Sequence, residues 1–193
     1  MGAFPSKINK DAHYTYKDYC EWNTDERYEL IDGAPYLMAP APSYAHQEVV
    51  GELFGRFWTY LQERPCKVFV APLDVRLNAN TEDDTVVQPD LLVVCDRNKI
   101  DKHGIKGAPD LVIEVRSPSS RNYDSILKLE KYLQAGVREC WLVNTESNTI
   151  RVFTKNETGE QAMKAYGESD VIPVKILPGF SISLKEVFAA TKL

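Results

Sequence analysis

The chain has 193 residues, 44% hydrophobic and 26% charged, with a formal net charge of −5. Those figures exclude a disordered or fibrous chain and fit a soluble globular one. They also argue against a nucleic-acid binder that works by bulk positive charge, though not against one with a local basic patch. The length fits one domain over residues 1–193, enough to bury roughly 70% of its unfolded surface without staples.

Thr15 caps a short helix through Trp22. Arg27–Ala39 reads as an N-terminal β-hairpin turned at Asp32-Gly33. Ser43 caps a helix of roughly twenty residues on which Val49, Val50, Leu53, Phe54, Phe57, Trp58 and Leu61 recur at helical spacing. Three strands follow: Val68–Leu77, Val86–Cys95 and Asp110–Arg116. The polar stretch Asn78–Asp84 joins the first two as a hairpin loop. Arg97–Gly107 is a basic loop between the last two. A second helix, Arg121–Ala135, ends at Gly136. Glu139–Asn144 and Thr149–Lys155 pair across Ser147-Asn148, with Glu139 an exposed charge at the strand's start. A short strand at Val174–Ile176 and a helical turn at Leu184–Ala190 close the chain. Over about residues 43–155 the order is helix, strand, strand, strand, helix, strand. This predicts a mixed α/β core, a meander followed by a crossover.

No apolar run approaches the ~18 residues a membrane-spanning helix needs, so no membrane partner is expected. Cys20, Cys66, Cys95 and Cys140 form no CxxC pair and sit among apolar or aromatic neighbours. They read as buried free thiols in a reducing, cytoplasmic setting.

Gly-rich phosphate loops, GxSxG and HExxH are absent, and His13, His46 and His103 are too scattered for a zinc site built on His and Cys. Carboxylates on strands remain. Asp90 opens its strand behind Pro89, a position where proline is tolerated. In Pro109–Ser120, alternation puts Val112, Glu114 and Arg116 on one face and Leu111, Ile113 and Val115 on the other. If the second and third strands are neighbours, Asp90 and Glu114 come together. Two ionised carboxylates are comfortable there only around a cation, or if one keeps a proton. Two carboxylates with a main-chain carbonyl and water suit Mg²⁺ or Mn²⁺.

Asp124, Lys128 and Tyr132 are four apart and line one stripe of the second helix. Facing the end of the sheet, Lys128 would orient or deprotonate a water, or steady charge on a phosphate. His46 shares the inward face of the first long helix and would overhang the same spot. Each residue also has an ordinary reading. Asp90 can bind hairpin backbone, Glu114 can pair with Arg116, and Lys128 can pair with Asp124 in solvent. His46 can be a packing residue, and the basic loop can be merely solvated. Only the joint pattern points to chemistry.

That ordered pattern resembles the PD-(D/E)XK nuclease superfamily and, within it, the Uma-type family of putative restriction endonucleases. The similar stretches are YELIDG (Tyr28–Gly33), Pro-Ser-x-x-His ending at His46, QPDLLVV (Gln88–Val94) and PDLVIEVRSPSS. Asp124, Lys128, Tyr132, AGVRECWLVN (Ala135–Asn144) and LPGFSISLKEVF (Leu177–Phe188) complete the set, which runs from about Tyr14 to Phe188. The resemblance implies an α/β (α+β) fold with a restriction-endonuclease-like core, its mixed central sheet flanked by helices. It implies a Mg²⁺-dependent endonuclease acting on nucleic acid, with DNA the expected substrate and Mn²⁺ a substitute ion. In that scheme Asp90, Glu114 and the Val115 carbonyl hold the metal, and Lys128, Arg116 and His46 assist. Lys99, Lys102, Lys106 and Arg121 are the expected nucleic-acid contacts. The superfamily's motif lysine would fall at Arg116, and an arginine stays protonated and cannot act as a general base. A lysine moved to the following helix corresponds to Lys128.

A second reading is a degenerate nuclease fold used as a nucleic-acid or protein-binding module, which Arg116 and the acidic charge favour. A third is a glycoside hydrolase using the two carboxylates, but no aromatic cluster flanks those strands to stack on sugars. Homodimerisation suits the cutting of duplex DNA, and the aromatic hairpin Tyr28–Tyr36 offers a surface for it.

Overall fold

In the computed structural model, residues 8–38, 41–116, 122–155 and 158–191 are described, the side chains of 122–124 excepted. Helix α1 (Tyr16–Cys20) starts behind Thr15, whose backbone N–H and hydroxyl both donate to the Asp18 carboxylate at 2.8 and 2.7 Å. Strands β1 (Tyr28–Ile31) and β2 (Ala34–Leu37) form the expected hairpin. Asp32 and Gly33 both take positive φ, 50° and 75°, which the right-handed twist of a two-residue hairpin favours. Helix α2 (Tyr44–Leu61) is capped by Ser43 and buries Val49, Leu53, Phe57 and Leu61 at four-residue spacing.

The next two expected strands each break in two. Val68–Leu77 becomes β3 (Lys67–Val70) and β4 (Val75–Arg76), and Val86–Cys95 becomes β5 (Val86–Val87) and β6 (Leu91–Val94). Pro72 and Pro89 sit at the breaks, where a residue without an N–H cannot continue a ladder. At each the chain passes from one sheet to another. The two crossings lie side by side, the Ala71 N–H donating to the Asp90 carbonyl at 3.1 Å. The basic loop is folded: a 3₁₀ turn at Arg97–Lys99 leads into β7 (Ile100–Asp101) and β8 (Gly104–Lys106), an antiparallel pair.

Strand β9 (Leu111–Arg116), helix α3 (Asn122–Ala135) and strand β10 (Glu139–Asn144) make the crossover, which is why β9 and β10 run parallel. Strand β11 (Thr149–Lys155) returns antiparallel, and β12 (Gln161–Tyr166) adds an edge that no alternation in the sequence announced. Strands β13 (Val171–Pro173) and β14 (Ser181–Ser183) pair with each other before helix α4 (Leu184–Ala189). They replace the strand expected at Val174–Ile176.

The first sheet has the order β12-β11-β10-β9-β6-β3 and the second β2-β1-β5-β4-β8-β7. Helix α2, strands β3, β6 and β9, helix α3 and strand β10 reproduce the expected core order in a mixed α+β fold. Leu91, Val93, Leu111, Ile113, Val115 and Trp141 pack with α2 and α4 on one face of the first sheet. Leu92, Val94, Val112 and Cys140 pack on the other face with α3 residues Tyr132 and Leu133 and second-sheet residues Val75 and Ile105. By alternation Glu114 belongs to this second face, between the two sheets.

Three expectations are corrected. Cys66 and Cys95, across the end of the β3/β6 pair, are joined by a disulfide; Cys140 is a buried free thiol, and Cys20 is free but exposed rather than buried. The hairpin offers less aromatic surface than its sequence suggests, because Tyr28 is buried edge-on against Trp22. Glu139 is fully buried rather than exposed. Its carboxylate accepts from the Trp141 indole N–H at 2.8 Å and from the Ile176 N–H at 3.0 Å, and so fastens the 174–177 turns to β10. Glu139→Ala leaves both donors buried and unmatched, a cost of about 2–4 kcal/mol. Urea unfolding checks this: the midpoint should fall in Glu139→Ala and fall less in Glu139→Gln, which keeps one acceptor.

Candidate active site

Strand β6 pairs antiparallel with β9 in the register Leu91↔Ile113, Leu92↔Val112, Val93↔Leu111. One step further places Asp90 across from Glu114. Asp90 Oδ2 accepts the Val115 N–H at 2.7 Å, a side chain taking the ladder's place where the strand begins. Its other oxygen, Oδ1, lies 3.2 Å from His46 Nε2 at the first turn of α2. The second Pro-Asp pair does the converse. Asp110, at the start of β9, accepts the Cys95 N–H just past the end of β6 at 2.7 Å and faces Arg138 at 3.3 Å.

Glu114 points between the sheets. Its Oε1 receives the Lys128 ammonium at 2.8 Å and the Tyr132 hydroxyl at 2.6 Å, two groups one turn apart on α3. Lys128 Nζ is also 2.8 Å from Glu29 Oε1, contributed by β1 of the second sheet. Glu29 Oε1 accepts the Gln88 N–H at 2.7 Å, at the crossing that leads to Asp90. The Gln88 side chain is fixed in turn: its amide donates to Asp74 at 2.8 Å and to the Tyr19 hydroxyl at 3.2 Å, and its carbonyl accepts from Arg27. The site is therefore three carboxylates, Asp90, Glu114 and Glu29, with one buried ammonium and one histidine. Among the described residues no three His, Cys, Asp or Glu side chains gather tightly enough to ligate a metal by themselves. Two hard carboxylates suffice for Mg²⁺ or Mn²⁺ when water and substrate oxygens complete the shell. An excess of carboxylates over ammonium fits that cation.

Residues 14–185 match the Uma2 family, described as putative restriction endonucleases. The chain belongs to that family. A curated relative, "Uncharacterized protein slr1290" of Synechocystis sp., is 27% identical over 175 residues, covering 89% of this chain and 90% of its own length. A crystal structure of "a putative nuclease belonging to DUF820" from Anabaena variabilis superposes with a TM-score of 0.75 at 20% identity, covering 92% of this chain and 98% of that one. The shared fold is thus that of a nuclease-like neighbour.

In this Uma2 chain Asp90, Glu114, Lys128 and His46 lie in one cluster, His46 against Asp90 and Lys128 against Glu114. Val115 meets Asp90 through its N–H. Arg116, half-buried at the end of β9, makes no ion pair with Glu114. Its Nε is buried with no hydrogen-bond partner among the described residues. Lys99 is spent on the Ala108 carbonyl at 2.7 Å. Lys102 and Lys106 are exposed on the β7–β8 hairpin. That hairpin is at the far edge of the second sheet, β8 three strand spacings from β1, roughly 14 Å from the strand that carries Glu29. Arg121 and the Asp124 side chain lie outside the described residues. Glu29 is the functional candidate missed from the sequence. Its signal was present in YELIDG, where alternation puts Glu29 and Ile31 on one face, and Ile31 packs in the core between the sheets.

Burial pushes the Glu114 carboxyl up to about 7, and the Asp90 and Glu29 charges add to this while Lys128 opposes it. Burial by itself would lower the Lys128 ammonium, but Glu114 and Glu29 carry it above its ordinary range. An ion pair ordinarily lowers its acid, so the two directions look opposed. The charge count reconciles them: Lys128 faces two anions, whereas Glu114 has one cation against two anions and little water. His46 is likewise held up against burial by its hydrogen bond to Asp90, and Tyr132 is raised by burial and by Glu114.

The folded pKa of Glu114 is above its ordinary 4.5, so the folded state binds this proton more tightly than the unfolded chain. Its contribution to stability is full below pH 4.5 and is lost as pH rises through about 7. Metal-free protein should therefore lose stability, by a few kcal/mol at most, between those limits. Denaturant midpoints taken from pH 5 to 8 should fall in the wild type and flatten in Glu114→Gln. Parallel profiles would place the titrating group elsewhere.

Proposed function

We propose that this protein is a metal-dependent endonuclease that hydrolyses phosphodiester bonds of nucleic acid, DNA before RNA. The observation that carries the reading is the opposition of Asp90 and Glu114 on neighbouring strands, with the Lys128 ammonium 2.8 Å from Glu114. Family membership supports the nuclease class. Mg²⁺ or Mn²⁺, held by Asp90 and Glu114, would supply Lewis-acid polarisation of the scissile phosphate and lower the pKa of a bound water.

The chain's own residues do the rest. Val115 N–H and His46 fix the Asp90 carboxylate from two sides, and Tyr132 fixes Glu114. Lys128 carries N–H donors into the site and steadies charge that develops on phosphate. Arg116 cannot remove a proton, but its guanidinium neutralises a phosphate oxygen. Lys102 and Lys106 are free to meet backbone phosphates, with Arg121 of the segment before α3 as a further contact. Binding of this kind weakens steeply with salt and does not read sequence. A homodimer would place two such sites on the two strands of a duplex.

Glu114→Ala should remove Mn²⁺ binding in calorimetry and lower plasmid nicking by about a hundredfold or more. Unchanged metal affinity in that variant would show that the site is misassigned. Asp110→Ala is an internal control for Asp90→Ala, since each deletes one side-chain bond to backbone. Both should cost about 1–2 kcal/mol of stability, and only Asp90→Ala should lose the metal.

The binding-module reading is favoured by one observation, that Lys128 already neutralises Glu114. DNA binding without turnover at saturating Mg²⁺ and Mn²⁺ would establish it.

A further inference from the structure

We propose that Lys128 is the site's own cation, and that Glu29 is the positioning residue that retains it when a divalent ion takes over the charge of Glu114. The inference rests on the metal-dependent reading above. Lys128 Nζ is 2.8 Å from Glu29 Oε1 and 2.8 Å from Glu114 Oε1, so its ammonium is shared evenly between the two sheets. Its side chain is only 9% exposed, and water cannot replace a lost counter-ion there.

The two anchors differ in what else holds them. Glu29 is fixed by the Gln88 N–H on the same oxygen that Lys128 uses, and Gln88 is itself tied to Asp74, Tyr19 and Arg27. Glu29 therefore stays in place whatever Lys128 does. Glu114 keeps the Tyr132 hydroxyl when Lys128 withdraws. A divalent ion on Asp90 and Glu114 would repel the ammonium from one side, and Glu29 is already in hydrogen-bond contact on the other. Without Glu29 the same ion would strand a buried charge, so Lys128 would hold Glu114 against it. Glu29 thus acts on the metal through Lys128, not as a ligand.

A double-mutant cycle read by Mn²⁺ calorimetry tests this, using wild type, Lys128→Met, Glu29→Gln and the double variant. Near-UV circular dichroism verifies that each is folded, and Lys128→Gln serves where the methionine variant is not. Lys128→Met should bind Mn²⁺ about tenfold more tightly, because the competing cation is gone. Glu29→Gln should bind about fivefold to tenfold more weakly, and the double variant should match Lys128→Met to within about twofold. Glu29→Asp should recover part of the loss. If Glu29→Gln weakens binding equally in both backgrounds, Glu29 is a ligand or a general source of charge and the proposal is wrong. A weaker Lys128→Met, or four equal affinities, overturns it as well. A folded wild type that takes up no Mn²⁺ would instead remove the metal-dependent reading on which it rests.

Discussion

A buried ammonium must have counter-charge, and Lys128 draws its two carboxylates from different sheets. Glu114 comes from the central strand of the first sheet, Glu29 from a hairpin of the second, and Lys128 from the helix wedged beside them. Removing either carboxylate leaves the buried ammonium with one counter-charge fewer, and solvent replaces it only in part. The Glu29–Lys128–Glu114 bridge thus constrains the distance between the sheets and the rotation of α3. The apolar packing of Val112, Tyr132 and Ile31 between the sheets agrees with that spacing, though it alone would tolerate sliding.

The sheet crossings explain how Glu29 gets there. Pro89 ends the ladder of β5, and within two residues the chain supplies the Gln88 N–H to Glu29 and the Asp90 carboxylate to the first sheet. One short segment therefore fixes two of the three acids in the site. A run of valines and leucines through 86–95 hides this, because a hydrophobic strand looks the same whether it belongs to one sheet or to two. The proline was the legible clue, and it reads equally well as the first residue of a strand.

The core order and the faces on which Glu114, Lys128 and His46 lie were legible from local periods, and Asp90 from the start of its strand and the pairing of that strand with its neighbour. Alternation of two sets Glu114 apart from Val115, and spacing of four puts Lys128 beneath Tyr132. What stayed hidden depends on pairing between distant segments. Glu29 and Lys128 are 99 residues apart, and no periodicity connects them. Glu139 looked like a strand-end charge because its partners are an indole two residues on and a backbone N–H from 37 residues away. The Cys66–Cys95 disulfide follows from the β3/β6 register, which neither cysteine's neighbours reveal.

The two Pro-Asp motifs make the same backbone contact in different surroundings. Asp90 opens β6 and accepts an N–H from β9; Asp110 opens β9 and accepts an N–H from the end of β6. That reciprocal stitch is what an antiparallel pair with a carboxylate at each start provides, and by itself it says nothing of catalysis. The surroundings break the symmetry. Asp110 meets the exposed Arg138, and its charge is answered at the surface. Asp90 meets a buried histidine and lies opposite Glu114, where carboxylates outnumber the ammonium. Arg116 fits the same logic. The strand ends there, and the cation that matters approaches Glu114 from α3 instead. A helix-borne lysine answers to the second sheet through Glu29, whereas a lysine two residues along the strand would not. The lysine on α3 therefore ties the second sheet to Glu114 through a single ammonium.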